Sequence, residues 1–434
     1  MPAPDSGAGA VGDGAVGDGA VDLAALDLAD LDLFVDGFPH AAFTCLRRDA
    51  PVWWNSPTAH TPDGVGFWVV SRHADALTVA GDPATFSSER APGAAGGGTI
   101  LADLPYGFAA GVLLNMMDDP RHHRIRRLLT PALAPRALAE LEPELEARAS
   151  AILDGLDGRD ECDFLTDVAV ELPLQALAAL LGVPEGDRHQ LLAWSNATLD
   201  HEGRELGEDS AAAAAAAAAM AAYGNAFVAE RRRCPVGDLT SVMATATVEG
   251  DDGAPHPLTD LELQMFFALM VAAGSETTRN SLALGLAALV DHPDQLAALD
   301  EDRSLLPGAV EEILRWTSAT LYNRRTATVD TVLGGQPVRA GDKVTVWWAS
   351  ANRDEAVFAD PFRFDITRSP NPHLAFGSRA HHCVGAGLAR MELRVMLAAL
   401  LDRFVAFELT GPVRRVRTNK HAGVASMPVA MRRR

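Results

Sequence analysis

The chain is poor in cysteine and lysine, and it has no apolar run as long as a membrane span. Its cysteines lie far apart and form no Cys-x-x-Cys pair, which argues against a disulfide framework and against a zinc site. No charged-then-apolar leader segment is recognisable either. We therefore expect a cytoplasmic protein with reduced thiols and no membrane span. The cysteines are Cys45, Cys162, Cys234 and Cys383.

Acidic residues outnumber basic ones, 58 against 37, and the formal net charge is −21. Such a chain is repelled by phosphate backbones, so nucleic acid is not an expected partner. Only Lys343 and Lys420 are lysines, and no basic residue precedes Arg47. With 434 residues, 48% of them hydrophobic, the chain is long enough to bury one large core.

The first 30 residues differ in composition from the rest of the chain. They contain a doubled Ala-Val-Gly-Asp-Gly unit, after which leucine alternates with aspartate. Low hydrophobicity and excess acid predict a flexible acidic segment over residues 1–30, with a short docking turn near its end. Residues 31–434 are expected to form a single large domain.

Short apolar runs predict a small amount of sheet. Residues 52–54 and 66–70 are typical of strands, and residues 326–346 contain further strands separated by glycine turns. Between residues 120 and 290 the pattern is mostly helical. No strand–helix–strand alternation indicates a nucleotide-binding domain, so no fused flavin domain is expected. The sequence therefore predicts a mostly α fold with minor β.

Residues 259–290 form the strongest helix prediction in the chain. Thr259 and Glu262 have the spacing of a capping box, and Pro293 follows the last periodic residue. About thirty residues at ~1.5 Å each span roughly 45 Å, enough to cross a large domain. We therefore expect a long central helix.

The middle of this helix, residues 272–278, reads Ala-Ala-Gly-Ser-Glu-Thr-Thr. Gly274 costs about 1 kcal/mol in a helix unless another group approaches closely there. Thr277 can donate a hydrogen bond back to the carbonyl of Ala273 and locally open the helix. Glu276 and Thr277 together supply an acid and a hydroxyl, which proton delivery requires. The alternative is an ordinary amphipathic helix with a surface glutamate.

Cys383 lies between a Phe-Gly pair and a predicted helix, in the stretch His-Leu-Ala-Phe-Gly-Ser-Arg-Ala-His-His-Cys-Val-Gly of residues 373–385. A sulfur at the start of a helix faces free backbone N–H groups, which lower the pKa of a thiol. Gly377 and Gly385 would permit tight turns, and Phe376 would shield the sulfur from water. The alternative is a buried structural cysteine.

The loop around Cys383 resembles the haem-ligand loop of the cytochrome P450 superfamily, Phe-Gly-x-Gly-x-His-x-Cys-x-Gly. Residues 272–278 are similar to the Ala-Gly-x-Glu-Thr-Thr motif of the same superfamily. The resemblance implies a haem-thiolate monooxygenase (cytochrome P450) fold, haem b as cofactor and Cys383 as the axial ligand of its iron. The chain departs from the loop motif at Arg379, which replaces the second glycine. At a positive φ an arginine would cost about 1 kcal/mol or more.

The resemblance also implies roles for other residues. Glu276 and Thr277 would be the catalytic pair that delivers protons. The haem would be contacted by Ala273, Gly274, Phe376, Gly377 and Gly385, and its propionates by His122, Arg126, Arg325 and His381. A buried structural network of Glu312, Arg315 and Arg363 would hold the cysteine loop. Residues 92–112 and 191–223 would line the substrate pocket.

Enzymes of this kind insert one atom of O2 into a C–H bond, with electrons from NAD(P)H through a ferredoxin reductase and a ferredoxin. The acidic ferredoxin would dock on Arg121, Arg124 and Arg379. The favoured substrate is a lipophilic small molecule of the sterol, terpene or fatty-acyl type. One alternative is a natural-product tailoring hydroxylase acting on a polyketide, or on an aminoacyl group tethered to an acyl or peptidyl carrier protein. A remoter alternative is a non-catalytic haem sensor, which would need Cys383 but not Glu276 or Thr277.

Overall fold

The computed structural model describes residues 21–199 and 211–434. Its α-helices in these ranges are α1 His40–Asp49, α2 His73–Gly81, α3 Arg121–Leu129, α4 Pro135–Asp154, α5 Glu171–Leu181, α6 Arg188–Leu199, α7 Ala211–Arg233, α8 Leu239–Thr245, α9 Asp260–Asp291, α10 Pro293–Glu301, α11 Leu306–Thr317, α12 Trp348–Ala351 and α13 Ala386–Arg403. The mostly α fold with minor β that the sequence predicts is confirmed.

The strands are short. They are β1 Val52–Asn55, β2 Phe67–Val70, β3 Phe86–Ser87, β4 Gly96–Gly97, β5 Leu104–Pro105, β6 Glu161–Asp163, β7 Thr247–Glu249, β8 Pro255–Pro257, β9 Tyr322–Ala327, β10 Thr331–Leu333, β11 Gln336–Val338, β12 Lys343–Trp347, β13 Phe404–Leu409, β14 Arg414–Arg415, β15 Val424–Ser426 and β16 Pro428–Arg433. The largest sheet has the order β1-β2-β12-β9-β3, and β13-β16-β6 form a second one. Only the β2–β12 pair of the large sheet is parallel.

Helix α9 is the long central helix. Its 32 residues, at ~1.5 Å each, span about 48 Å. The Thr259 hydroxyl accepts a hydrogen bond from the N–H of Glu262, and the Glu262 carboxylate accepts one from the N–H of Thr259, which completes the predicted capping box. The helix packs on α5, α11 and α13 within the main hydrophobic core. It therefore forms one fixed wall beside the start of α13.

The packed part of the chain begins before residue 31. Leu28 is fully buried, its N–H donates to Asn55 at 2.8 Å and its carbonyl accepts from Asn419 at 2.9 Å. The expected boundary at residue 30 therefore lies too late, because the leucines that alternate with aspartate pack on the domain. Residues 1–20 of the predicted flexible segment lie outside the described residues.

Helix α7 is apolar along much of its length, since it opens with a run of alanines. Among the described helices it alone has the length and composition of a membrane span. The expectation that no apolar run is as long as a membrane span is therefore wrong as far as length and composition go. In the fold, however, α7 packs against α6, α8 and α9 and buries Met220, Phe227 and Val228 there.

A fully buried ion pair connects α11 to the segments that precede the cysteine loop. Two Arg315 nitrogens donate to the two carboxylate oxygens of Glu312, each at 2.7 Å, and neither side chain has exposed surface. The remaining guanidinium N–H groups bind the carbonyls of Asn352, Pro361 and Arg363. Because every donor of the buried guanidinium is used, the pair can organise three chain segments at once.

The prediction that the Arg363 side chain is the third member of this network is wrong. The Arg363 side chain is exposed, and only its carbonyl takes part. Arg368 provides the second cation instead, with its Nε 3.2 Å from Glu312 Oε2 and its other nitrogens on nearby carbonyls. The reason is a tight turn at Asp360, closed by the N–H of Arg363, which leaves the Arg363 side chain outside.

We expect Arg368→Ala to lower the free energy of unfolding by about 1–3 kcal/mol, because buried Glu312 loses a charged donor. Arg363→Ala, the matched variant at an exposed arginine, is expected to change it by no more than about 0.5 kcal/mol. Urea unfolding followed by far-ultraviolet circular dichroism measures both. Equal losses in the two variants would contradict the assignment of Arg368.

Candidate active site

One cavity of about 290 Å³ lies between α9, the start of α13 and the loop that precedes it. The cavity brings together nearly all of the site residues predicted from the sequence. They are His122, Arg126, Ala273, Gly274, Thr277, Arg325, Phe376, Gly377, His381, Cys383 and Gly385. Among the described lining residues Glu276 is absent, although its neighbour Thr277 is present.

The cysteine loop is a closed turn that ends at the first residues of α13. The N–H of Cys383 donates to the carbonyl of Phe376 at 2.8 Å, and Gly377 has the positive φ of +66° that favours glycine. Gly385 differs from expectation, because its φ of −85° is ordinary for any residue. A Cβ there would stand 3.9 Å from the Cys383 sulfur, so the position has normal contacts.

Cys383 lines the cavity, and its side chain is exposed to that open space. Burial raises the pKa of its thiol, and this outweighs the lowering by the N–H of Gly385 and by the guanidinium groups of Arg126 and Arg390. The predicted lowering of the thiol pKa is therefore wrong for the protein alone. A coordinated metal ion removes the thiol proton outright, so the residue remains suited to bind iron.

Arg379 adopts a left-handed backbone conformation with φ of +59°. It begins a single 3₁₀ turn that carries His381 into the cavity wall, and its own side chain is exposed. The left-handed conformation costs a residue with a Cβ roughly 1–2 kcal/mol. Arg379 therefore adopts a conformation that suits the glycine of the loop motif, and the chain bears the strain of an arginine there.

The cavity face of α9 shows the local features expected from its sequence. Thr277 Oγ1 donates to the carbonyl of Ala273 at 3.0 Å, and Ser275 Oγ donates to Val271 at 2.8 Å. A Cβ on Gly274 would stand 3.1 Å from Leu177, tighter than nearly all real contacts. The helix therefore needs glycine there for the close approach of α5.

Four cationic or potentially cationic side chains lie along one edge of the cavity. The rings of His122 and His381 stack at 4.2 Å, and Arg126 donates to the carbonyl of His382 at 2.5 Å. Burial lowers the pKa of Arg325 to about 10, against an opposing effect of Asp118. Burial and the neighbouring Arg325 lower the pKa of His381 to about 2. The edge therefore has excess positive potential, which anionic groups would relieve.

The buried Nε2 of His122 has no hydrogen-bond partner within the described residues. A buried polar atom without a partner is costly unless a ligand satisfies it. Together with Arg126 and Arg325, it could bind the two carboxylates of a haem held by Cys383. The residues present thus fit a haem.

Two of the arginines predicted to dock a ferredoxin are occupied elsewhere. Arg121 is paired with Glu262 at the start of α9, and Arg124 lies 3.3 Å from Asp251 beyond β7. Both arginines are therefore neutralised locally by acidic residues. Arg379 is exposed, as a docking cation must be.

The predicted pocket segments do not line the cavity. None of residues 92–112, and none of residues 191–223 that the structure describes, contributes to its wall. Residues 92–112 stay away from the cavity because three buried cations hold their backbone against the large sheet. Arg324 and Lys343 bind the carbonyl of Leu101 at 3.2 and 2.8 Å, and Lys420 binds that of Thr99 at 3.1 Å.

Sequence reasoning missed Glu392, a fully enclosed glutamate on the cavity side of α13. Burial raises its pKa to about 8, opposed by a hydrogen bond from Thr278. It is therefore a neutral acid near pH 7. The signal in the sequence is an acidic residue on the helical stripe that also contains Leu388 and Leu393.

These features define the class of protein. A cysteine loop over a concave site, an edge of cations and a long helix with back-bonded hydroxyls are the parts of a haem-thiolate oxygenase. The fold places them together from α3, α9, β9 and the loop before α13.

Comparison with known proteins agrees. The family model for cytochrome P450 matches residues 215–428. The chain is 48% identical to cytochrome P450 126 of Mycobacterium tuberculosis over 400 residues, which cover 92% of this chain and 95% of that one. It is 36% identical over 405 residues to linalool 8-monooxygenase of Pseudomonas putida, covering 92% and 97%.

Among solved structures, the Mycobacterium marinum cytochrome P450 CYP268A2 in complex with pseudoionone is similar with a TM-score of 0.82. The two chains are 34% identical, and the match covers 90% of this chain and 94% of that one. The chain belongs to the cytochrome P450 family. It is an oxidoreductase, a monooxygenase with a haem-thiolate cofactor.

We expect Arg379→Gly to be more stable than Arg379→Ala by about 1 kcal/mol, because only glycine adopts the left-handed conformation without a Cβ penalty. Both variants remove the same charge, so the comparison isolates the backbone. The midpoint of urea unfolding of the haem-loaded protein reports the difference. Indistinguishable midpoints would show that the loop relaxes around Arg379.

Proposed function

We propose that this cytochrome P450 hydroxylates a lipophilic small molecule of the sterol, terpene or fatty-acyl type in the cytoplasm, with haem b bound through Cys383. The observation that carries the proposal is the apolar wall of the cavity above the cysteine loop. It is formed by Leu177 and Leu180 of α5 and by Phe266, Leu269 and Met270 of α9. Burying an apolar substrate against such a wall contributes about 25 cal/mol per Å².

The relatives support the same substrate class. One is named for linalool and one is seen with pseudoionone, both of which are acyclic terpenoids. The residues of α9 that face the cavity recur at helical spacing from Phe266 to Thr277, so a single face of the helix presents first apolar and then polar groups. A lipophilic substrate with one C–H bond near Thr277 would match this order.

The bound haem supplies oxygen activation, consuming O2 and two electrons to place one oxygen atom on the substrate and release the other as water. Cys383 would hold it by its sulfur, and His122, Arg126, Arg325 and His381 would bind its carboxylates. Thr277 presents its hydroxyl at the cavity surface, where it would orient water and pass protons. Glu276, buried behind Thr277, would supply those protons.

The electrons would come from NAD(P)H through a ferredoxin and its reductase. Arg126 donates to the carbonyl of His382 beside Cys383, and the exposed Arg379 lies four residues before Cys383 in the same loop. An acidic ferredoxin would meet exposed positive charge there. The ion-paired Arg121 and Arg124 are not part of this proposed docking face.

The first experiment is a reduced carbon-monoxide spectrum of the wild type, Cys383→Ala and Cys234→Ala. We expect the red-shifted thiolate band in the wild type and in Cys234→Ala, where an exposed cysteine serves as the control, and its loss in Cys383→Ala. Optical titration of terpenoids, steroids, fatty acids and acyl carrier proteins then identifies the ligand by its low-to-high-spin shift. Hydroxylated product carrying label from ¹⁸O2 would establish the reaction. A shift with a carrier-bound group alone would overturn the substrate class.

Thr277→Ala is expected to keep haem and substrate binding but to divert about 90% or more of the electrons into peroxide, because general acid catalysis is lost. Ser275→Ala is the matched control, since it removes a similar back-bonded hydroxyl that does not line the cavity among the described residues. Product and peroxide formed per NAD(P)H measure the coupling. Tight coupling in Thr277→Ala would refute the role of its hydroxyl.

A further inference from the structure

His421 lies directly behind the cavity wall. It belongs to the loop between β14 and β15 and forms an isolated bridge with Thr320, which lines the cavity. The bridge is extended by hydrogen bonds from Ala422 to Ala319 at 2.9 Å and from Leu321 to Lys420 at 3.0 Å. The backbone of His421 is therefore fixed, and its side chain is aimed at α9.

The side chain that His421 meets is Glu276. Its Nδ1 stands 3.7 Å from Glu276 Oε1, and neither side chain is among the described residues that line the cavity. The Glu276 side chain is 8% exposed, whereas that of His421 is 20% exposed. Thr277 therefore stands at the cavity surface, and of the two groups behind it His421 has the greater exposure.

Among the described residues, the charged groups that act on His421 are Glu276 and Arg279 from α9 and Lys420 from its own loop. Burial lowers the pKa of His421, Lys420 and Arg279 lower it further, and Glu276 opposes them. The imidazole is therefore neutral near pH 7, with one nitrogen to donate and one to accept. Arg279 is also bound to Asn196 at 2.9 Å, so it is held in place.

We propose that His421 is a positioning residue for Glu276, orienting its carboxylate and connecting it to solvent. The proposal rests on the proposed function, whose overall reaction is RH + O2 + 2 e⁻ + 2 H⁺ → ROH + H2O. Both protons come from solvent, to which His421 exposes more of its side chain than Glu276 does. Each proton would pass from solvent to the imidazole and from the imidazole to the carboxylate, leaving the imidazole neutral again. Proton transfer requires the 3.7 Å separation to shorten to hydrogen-bond length, as catalytic contacts in ligand-free structures commonly do when the substrate complex forms.

The pairing is tested without turnover by nitrogen-15 NMR of the histidine rings in the diamagnetic, carbon-monoxide-bound ferrous protein. His421→Gln assigns the signal. In the wild type at pH 7 we expect the proton on Nδ1, facing Glu276, and in Glu276→Gln a shift of the proton toward Nε2. Where His421 titrates, its pKa should fall by about one unit in Glu276→Gln, because a neighbouring negative charge is removed. His60, which faces Asp27 at 3.3 Å elsewhere, should not change. The same ring state in both proteins would overturn the pairing.

The functional arm compares His421→Gln, His60→Gln and the double variant with Glu276→Gln. We expect His421→Gln to lower product formed per NAD(P)H by about fivefold or more and to alter its pH profile, because the two sites are coupled. The double variant should be no slower than Glu276→Gln alone, as expected for residues acting through one path. The thiolate band and the substrate-induced spin shift should be unchanged.

The two proposals fail in distinguishable ways. If the wild type forms no hydroxylated product with any substrate, the proposed function fails, and the ring NMR still decides whether His421 is paired with Glu276. If the wild type is active and His421→Gln behaves like His60→Gln, the positioning role of His421 alone is overturned.

Discussion

The buried Glu312–Arg315 pair is the constraint on which the site depends. Taking both charges out of water is costly, so the pair is tolerable only because backbone groups and the Arg368 side chain satisfy its remaining donors and acceptors. Those groups belong to Asn352, Pro361 and Asp365, and the Asn352 amide oxygen in turn accepts the N–H of Leu374 at 2.6 Å. The cysteine loop starts at Phe376, two residues after Leu374. Its position therefore follows from where α11 places one ion pair.

The adjacent Glu311 extends the same support to the other end of the loop. It binds His373 at 3.0 Å and Arg390 of α13 at 2.6 Å, and Arg390 stacks on Phe376. Burial would raise the pKa of Glu311, but its hydrogen bonds from His373 and Arg390 hold it at about 2. The loop is thus fixed before and after Cys383 by neighbouring carboxylates of a single helix. Such over-determination explains how the left-handed Arg379 is tolerated.

The sequence was sufficient to predict what depends on local order along the chain. The capping box placed α9 correctly, and the cysteine loop and the α9 motif named residues that the fold brings into one cavity. It failed where the answer depends on distant packing. The sequence near Arg363 does not reveal that a turn at Asp360 directs the Arg363 side chain outward. Nor does it reveal that Arg368 pairs with Glu312 instead. Likewise the net pKa of Cys383 depends on burial, which spacing does not report.

The two lysines show the same limit. Both are buried, in a chain whose other 35 Lys or Arg positions are all arginine. Lys343 and Lys420 each donate to a backbone carbonyl of residues 99–101, and the Arg324 guanidinium donates to the same stretch. Burial lowers the pKa of Lys420 to about 7. Because they bind the loop expected to cover the pocket, that loop is tied to the sheet. Among the described residues, the apolar part of the cavity wall therefore comes largely from α5 and α9.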